Sequence, residues 1–267
     1  MTEAMFPPSD EFAAAAHVDR AAYDRMYAAS VADPDAFWAE HGRRLDWITP
    51  YTQVSDCSFE KDSVAINWFA DGTLNVAANC IDRHLATRGD RTAIIWEPDD
   101  PDAVDGGGAQ HITYQQLHAH VCKFANVLKS MGVGRGDRVV LYLPMIPQAA
   151  YAMLACARIG AVHSIVFAGF SPDALGARIN GCDAKVVVTA DGAPRGGRVT
   201  NLKDNVNKAL LHCEDKVQCL VVRRTGQQIA WNAERDRWLH EAEAEVPDTC
   251  DPEEMGAEDP LFILYTS

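Results

Sequence analysis

Between residues 138 and 222 the chain alternates strand-like and helix-like segments with almost nothing in between, and this periodicity constrains the fold more than any other feature. The apolar run RVVLYL gives way to PQAAYAMLACARI and Gly160, then to VHSIVF, to SPDALGARIN and Gly181, to KVVVTA, to NLKDNVNKALLHC and to VQCLVV. Short strand–helix–strand connections cross over right-handed and lay their strands into a parallel sheet. The fold class is α/β, built of parallel-sheet βαβ units.

Upstream lies the best-marked helix. Thr113 with Gln116 three residues later has the form of a capping box, Leu117, Val121, Phe124, Leu128 and Met131 form an apolar stripe, and Gly132 stands at the C-terminal cap. Before it, TAIIWEP and a short strand at His111 and Ile112 are placed to pair as a hairpin across the acidic, glycine-rich DDPDAVDGGG. Residues up to about 80 have another texture, helical and aromatic. Asp33 and Pro34 serve as N-cap and first residue of a helix carrying Phe37, Trp38 and Leu45, and a second helix, NVAANCIDRHLATRGD, is closed by Gly89. This layer packs onto something else.

Size and charge narrow the function. A chain of 267 residues buries roughly 70–75% of its unfolded surface, enough for a real core. It has no apolar run of about 18 residues, and the acidic start MTEAMFPPSDEF lacks the basic flank of a secretory signal. The expectation is a cytoplasmic protein with no membrane partner. A net charge of −14 argues against a nucleic-acid surface, because phosphate backbones need clustered Lys and Arg. The eight cysteines (57, 80, 122, 156, 182, 213, 219 and 250) form no C-x-x-C pair and read as buried reduced thiols.

Some motifs have plain explanations. Gly132, Gly134 and Gly136 close a helix and open a strand, the reverse of the order in a dinucleotide fingerprint, so they cap and turn the chain. His118 and His120 point to different faces of one helix and do not share a metal. Trp231 and Trp238, seven apart in a segment read as helix, share a face and serve core packing.

The sharpest local feature is VVVTADGAPRGGRVTNLK. A strand ends at Thr189, a loop carries Arg195, Gly196, Gly197 and Arg198, and a helix begins near Thr200. Two guanidinium groups around a Gly-Gly pair, before a helix N-terminus and at the carboxyl end of a parallel strand, have the chemistry of a phosphate site. A solvated loop with two arginines accounts for the same spacing equally well. At the other end of the sequence, residues 261–265 read as a buried strand, with Thr266 and Ser267 opening a loop that does not continue. The expectation is a fragment cut within a sheet, which aggregates or orders only partly when expressed alone.

The stretches LNVAANCIDRHLATRGDRTAIIWEPD, ITYQQLHAHVCKFANVLKSMGVGRGDRVVLYLPMIPQAAYAMLACARIGAVHSIVFAGFSPDALGARI and DGAPRGGRVTNLK together resemble the AMP-forming acetyl-coenzyme A synthetases of the acyl-adenylate-forming ligase superfamily, from about residue 20 to residue 267. The resemblance implies a flexible N-terminus at 1–20, a helical N-terminal region at 21–80, and at 81–267 a partial AMP-binding domain cut at the start of its phosphate loop. It implies a two-step ligase. Acetate attacks the α-phosphorus of Mg-ATP to give acetyl-adenylate and pyrophosphate, and coenzyme A takes the acetyl group after a C-terminal lid rotates. By matching motif, Arg195, Gly196, Gly197 and Arg198 hold coenzyme A through its nucleotide phosphates, with Arg198 where the family usually has Lys. Thr266 and Ser267 begin the loop around the ATP phosphates. The catalytic lysine, the Mg site and the acetate pocket lie beyond residue 267 in the family, so no catalytic or metal-binding residue is assigned and the chain alone is expected not to adenylate acetate. A propionate- or other short-chain acyl-CoA synthetase is the near alternative, and a stand-alone coenzyme A- or anion-binding module the distant one.

Overall fold

The computed structural model describes residues 6–99, 108–213 and 216–266. The chain enters through α1 (Asp10–Ala14), α2 (Arg20–Ala32) and α3 (Pro34–Gly42). The Asp33 carboxylate accepts from the Ala36 amide and Pro34 holds the first position of α3, where its missing N–H has no partner to lose. Neither α1 nor α2 buries a residue.

The expected helical character stops there. Residues 55–68 form an antiparallel hairpin of β1 (Ser55–Ser58) and β2 (Ala65–Trp68), followed by β3 (Thr73–Leu74). Aromatic rings hold this layer together, with Tyr51 and Phe69 at 4.6 Å, Trp47 and Tyr51 at 5.0 Å, and Trp38 and Trp68 at 6.1 Å. Next, a π-helical turn at Ala78–Asp82 leads into α4 (Arg83–Arg88), so the second expected helix is wound in two ways. Buried Asn75 joins the layer to the rest of the molecule, its Nδ2 donating to the carbonyls of Ala157 and Glu253.

β4 (Thr92–Trp96) and β5 (Gln110–Thr113) pair antiparallel as expected, while most of the loop between them lies outside the described residues. α5 (Tyr114–Ser130) carries its capping box in full. Thr113 Oγ1 accepts from the Gln116 amide at 3.2 Å and Gln116 Oε1 from the Thr113 amide at 2.9 Å, and Gly132 turns the chain away at φ +80°.

The alternation then appears as β6 (Arg138–Tyr142), α6 (Pro147–Arg158), β7 (Val162–Ile165), α7 (Pro172–Gly181) and β8 (Ala184–Ala190). It continues through β9 (Ala193–Arg195), β10 (Arg198–Thr200), α8 (Leu202–Leu210), β11 (Gln218–Val222), β12 (Asp236–Trp238), α9 (Leu239–Glu243), β13 (Met255–Gly256) and β14 (Phe262–Ile263). The main sheet has the order β12-β11-β8-β6-β7-β14, parallel throughout. β7 lies on one side of β6 and β8 on the other, so the direction of crossover reverses there. α5 packs with α6 and α9, and α7 packs with α8. Val139, Val140, Val187, Val188, Leu220 and Val221 are sealed in the core, each contributing roughly 1.5–3 kcal/mol over an exposed position.

Three expectations are corrected. β14 is an edge strand, not a buried one: Phe262, Leu264 and Tyr265 are 55%, 69% and 39% exposed, because among the described residues nothing covers the outer side of the sheet there. Trp231 and Trp238 do stack, with ring centres 4.8 Å apart, but Trp238 ends a strand and Trp231 precedes it in an irregular segment, extended by the pairing of β12 with β11. Of the cysteines, 122, 156, 182, 219 and 250 are buried, whereas Cys57 and Cys80 are exposed in the N-terminal layer. Among the described residues no helix is long and apolar enough to cross a membrane.

Candidate functional site

β6, β7, β8 and β14 run parallel and so end on one edge of the sheet, and the residues singled out for ligand chemistry lie past those ends. Past β8 the segment expected to be a loop is a tight hairpin. Arg195 stands directly opposite Arg198, Pro194 opposite Val199, and Ala193 opposite Thr200. Gly196 and Gly197 make the turn at φ +55° and +74°, the pair of positive values that a two-residue type I′ connection requires. A Cβ at either glycine would meet nothing within 4 Å, so the space over the turn is open. Both arginines are exposed, and like charges directly opposed on paired strands repel, a cost that a bound anion would relieve.

The helix behind the hairpin begins at Leu202, and its end is capped from within: the Asn201 side chain accepts from the Asp204 amide at 3.2 Å. At the hairpin itself, the groups able to meet an anion are the two guanidinium groups.

Arg195 has a second contact. Its guanidinium carbon is 5.5 Å from the centre of the Phe167 ring, within cation–π range. Phe167, 56% exposed, meets Phe170 edge-on at 5.7 Å. The Tyr142 hydroxyl fixes that segment, donating to the Phe170 carbonyl at 2.9 Å and accepting from Asn205 Nδ2 at 3.1 Å. Burial pushes the Tyr142 pKa up, which keeps the hydroxyl protonated as a donor. Arg178 of α7 covers the Phe170 ring at 4.6 Å and the Tyr265 ring at 5.4 Å. Phe167 and Phe170 are not among the residues picked from the sequence. Their signal was the aromatic run VFAGF continuing past a buried parallel strand, at the edge where ligands of such sheets bind.

Thr266 is exposed beyond β14, on the same edge, while Ser267 lies outside the described residues. β6 and β7 stand between β14 and β8, a separation of about 14 Å at ordinary strand spacing. Thr266 and the arginine hairpin thus share an edge without forming one cluster.

The other candidates keep their plain roles. His118 Nε2 lies 3.6 Å from Asp82 Oδ1, while His120 stacks on Tyr151 at 4.8 Å. Gly136 takes φ +77° and donates its amide to the Gly160 carbonyl, a turn contact. Among the described residues no group of three or more His, Cys, Asp or Glu is arranged to hold a metal ion.

Comparison with known proteins matches residues 81–267 to the family described as AMP-binding enzyme and residues 23–80 to the acetyl-coenzyme A synthetase N-terminus. An acetyl-coenzyme A synthetase of Methylocella silvestris is 56% identical over 100% of this chain and 41% of its own length. One of Rhodobacter capsulatus is 62% identical over 94% of this chain and 38% of its own. Among solved structures, acetoacetyl-CoA synthetase from Streptomyces lividans superposes with a TM-score of 0.78 at 26% identity, covering 96% of this chain and 38% of that one. The chain spans about two fifths of the length of the curated relatives it matches.

Proposed function

Since the chain belongs to the AMP-binding enzyme family, with an acetyl-coenzyme A synthetase N-terminus ahead of that domain, we propose that it is the N-terminal part of an acetate–CoA ligase and contributes that enzyme's coenzyme A-binding hairpin. The reaction is acetate, ATP and coenzyme A to acetyl-CoA, AMP and diphosphate by way of acetyl-adenylate. The observation that carries the reading is that two adjoining family matches account for residues 23–267, with curated acetyl-coenzyme A synthetases 55–62% identical along them.

The residues present fit coenzyme A. Arg195 and Arg198 offer two guanidinium groups to its nucleotide phosphates across an open turn, and the exposed ring of Phe167 offers a flat apolar face to its base. Thr266 and Ser267 would start the loop that holds the ATP phosphates. In this reading the magnesium that neutralises phosphate charge and the catalytic lysine would be held by the part of the enzyme outside this chain. In the same reading residues 21–80 are the N-terminal region of the acetyl-coenzyme A synthetase type, and 81–267 are part of the AMP-binding domain. The partners are small molecules in the cytoplasm. Acetate is favoured over acetoacetate because the acetoacetyl-CoA synthetase shares 26% identity against 56% for an acetyl-coenzyme A synthetase spanning the whole chain.

The test is acyl-dependent pyrophosphate release with ATP. The full-length enzyme should turn over acetate in preference to propionate and acetoacetate, and the 267-residue chain should release none. Preference for a longer acyl group, or turnover by the chain alone, would contradict the proposal.

A further inference from the structure

The hairpin that carries Arg195 and Arg198 has three residues in each arm, too few to hold a direction unaided. Its direction is fixed at the root. Asp191, the first residue past β8, is fully buried, and its carboxylate turns toward the segment after β11. Oδ1 accepts from the backbone amides of Arg224 and Thr225, both at 2.9 Å, and from Gly192 at 2.7 Å. Oδ2 accepts from the amides of Gly226 at 2.7 Å and Thr225 at 3.1 Å. The Asp191 amide donates to the Val222 carbonyl at 3.0 Å, and its carbonyl accepts from Gln227 Nε2 at 2.7 Å. A buried carboxylate with this many amide donors is satisfied without a cation.

Gly192 passes this constraint to the hairpin. A Cβ there would lie 2.6 Å from Gln227 Nε2, 2.9 Å from Val199 Cγ1 and 3.1 Å from Thr225 Oγ1. The return arm, through Val199, and the Asp191-bound turn, through Thr225 and Gln227, therefore crowd the same space beside Gly192, which only a residue without a Cβ leaves open. We propose that Asp191 is the positioning residue for the coenzyme A hairpin, locking the turn at residues 224–227 against the hairpin root and so setting where Arg195 and Arg198 stand relative to Phe167. Asp191 is too deeply buried to touch the ligand, and the inference rests on the proposed function of the hairpin.

The experiment compares Asp191→Asn with Arg195→Ala in the full-length enzyme that carries this chain. It reads KM for coenzyme A and the acetate-dependent ATP–pyrophosphate exchange, a half-reaction that needs no coenzyme A. An amide at position 191 turns an NH2 toward amide donors, so KM for coenzyme A should rise about tenfold while exchange changes less than about twofold. Because Asp191 acts through both arginines of the hairpin, adding Asp191→Asn to Arg195→Ala/Arg198→Ala should raise KM little further. If Arg195→Ala raises KM and Asp191→Asn does not, the inference falls and the hairpin reading stands. If Arg195→Ala leaves KM unchanged, both fall. A parallel loss of exchange and of the coenzyme A step would make Asp191 a purely structural residue and overturn the inference. Gln227→Ala removes one tether and keeps the carboxylate, so it decides the matter if Asp191→Asn does not fold. A rise of about threefold in KM supports the inference and an unchanged KM overturns it.

Discussion

The guanidinium of Arg195 stands 5.5 Å from the centre of the Phe167 ring, although the strands these residues follow, β8 and β7, are not neighbours. The hairpin leans across the end of β6 to make this contact, which brings a cation and an exposed aromatic face together at the carboxyl edge of the sheet. Phe167→Ala removes both the ring under Arg195 and the flat face. KM for coenzyme A in the full-length enzyme should rise about fivefold, roughly 1 kcal/mol, with no loss of thermal stability because Phe167 is exposed. A lowered Tm with unchanged KM would assign the ring to packing.

Arg158 ties the end of α6 to the π-helical turn ahead of α4. Its Nη1 and Nη2 donate to the two oxygens of Asp82 at 2.8 and 2.9 Å, and its side chain is 3% exposed against 29% for Asp82. Asp82→Asn leaves a buried guanidinium without its counter-charge. Stability should fall by about 3 kcal/mol, the low end of the range for a broken buried pair because Asp82 is partly wet. Denaturant unfolding of the full-length enzyme checks this, and a change under about 1 kcal/mol would show the pair to be a surface bridge in effect.

Two buried groups pull stability in opposite directions with pH. Burial holds the His163 pKa down at about 4, and its Nδ1 has no partner among the described residues. Its contribution is present above about 6.5 and is lost as pH falls toward about 4. Burial pushes Glu243 up to about 7, with Lys123 pulling it partly back. That contribution is complete below about 4.5 and is lost as pH rises through about 7. Each amounts to roughly 3 kcal/mol, so they nearly cancel across the weakly acidic range. Glu243→Gln should unmask the histidine limb, giving a stability that drops steeply between about pH 6.5 and 4.5 where the parent is flat. Urea midpoints across that range test it, and the same slope in both proteins would contradict it.

The β14 edge presents Phe262 and Leu264, 55% and 69% exposed, beside unpaired backbone. An edge of this kind invites pairing with a second chain. The 267-residue chain alone should aggregate, and Phe262→Lys should slow the growth of light scattering severalfold by placing charge on the edge. Equal rates for the two would place the sticky surface elsewhere.

What the sequence disclosed follows from the range of each interaction. α5 was legible because a capping box and an apolar stripe are written within one helix, and β6 and β8 because burial on both faces leaves continuous apolar runs. The arginine hairpin was legible as chemistry but not as shape, since two arginines around Gly-Gly suit a solvated loop as well as a type I′ turn. β1 and β2 left no trace, because SDCS and AINW are short and largely exposed and so do not alternate. Trp231 and Trp238 read as sharing a helix face in the core, whereas they meet where an irregular segment leads into β12, with Trp231 40% exposed, a contact the helical period does not describe. Asp191 reads as an ordinary turn residue in TADGAP, and its role depends on amides 33 to 35 positions later, which no local pattern announces.

Whether Arg195 and Arg198 hold the coenzyme A phosphates is decided by KM for coenzyme A in the double variant Arg195→Ala/Arg198→Ala of the full-length enzyme. It should rise about a hundredfold, as two charge-assisted contacts are lost, with acetate-dependent ATP–pyrophosphate exchange close to that of the parent. An unchanged KM for coenzyme A alongside intact exchange would contradict that role.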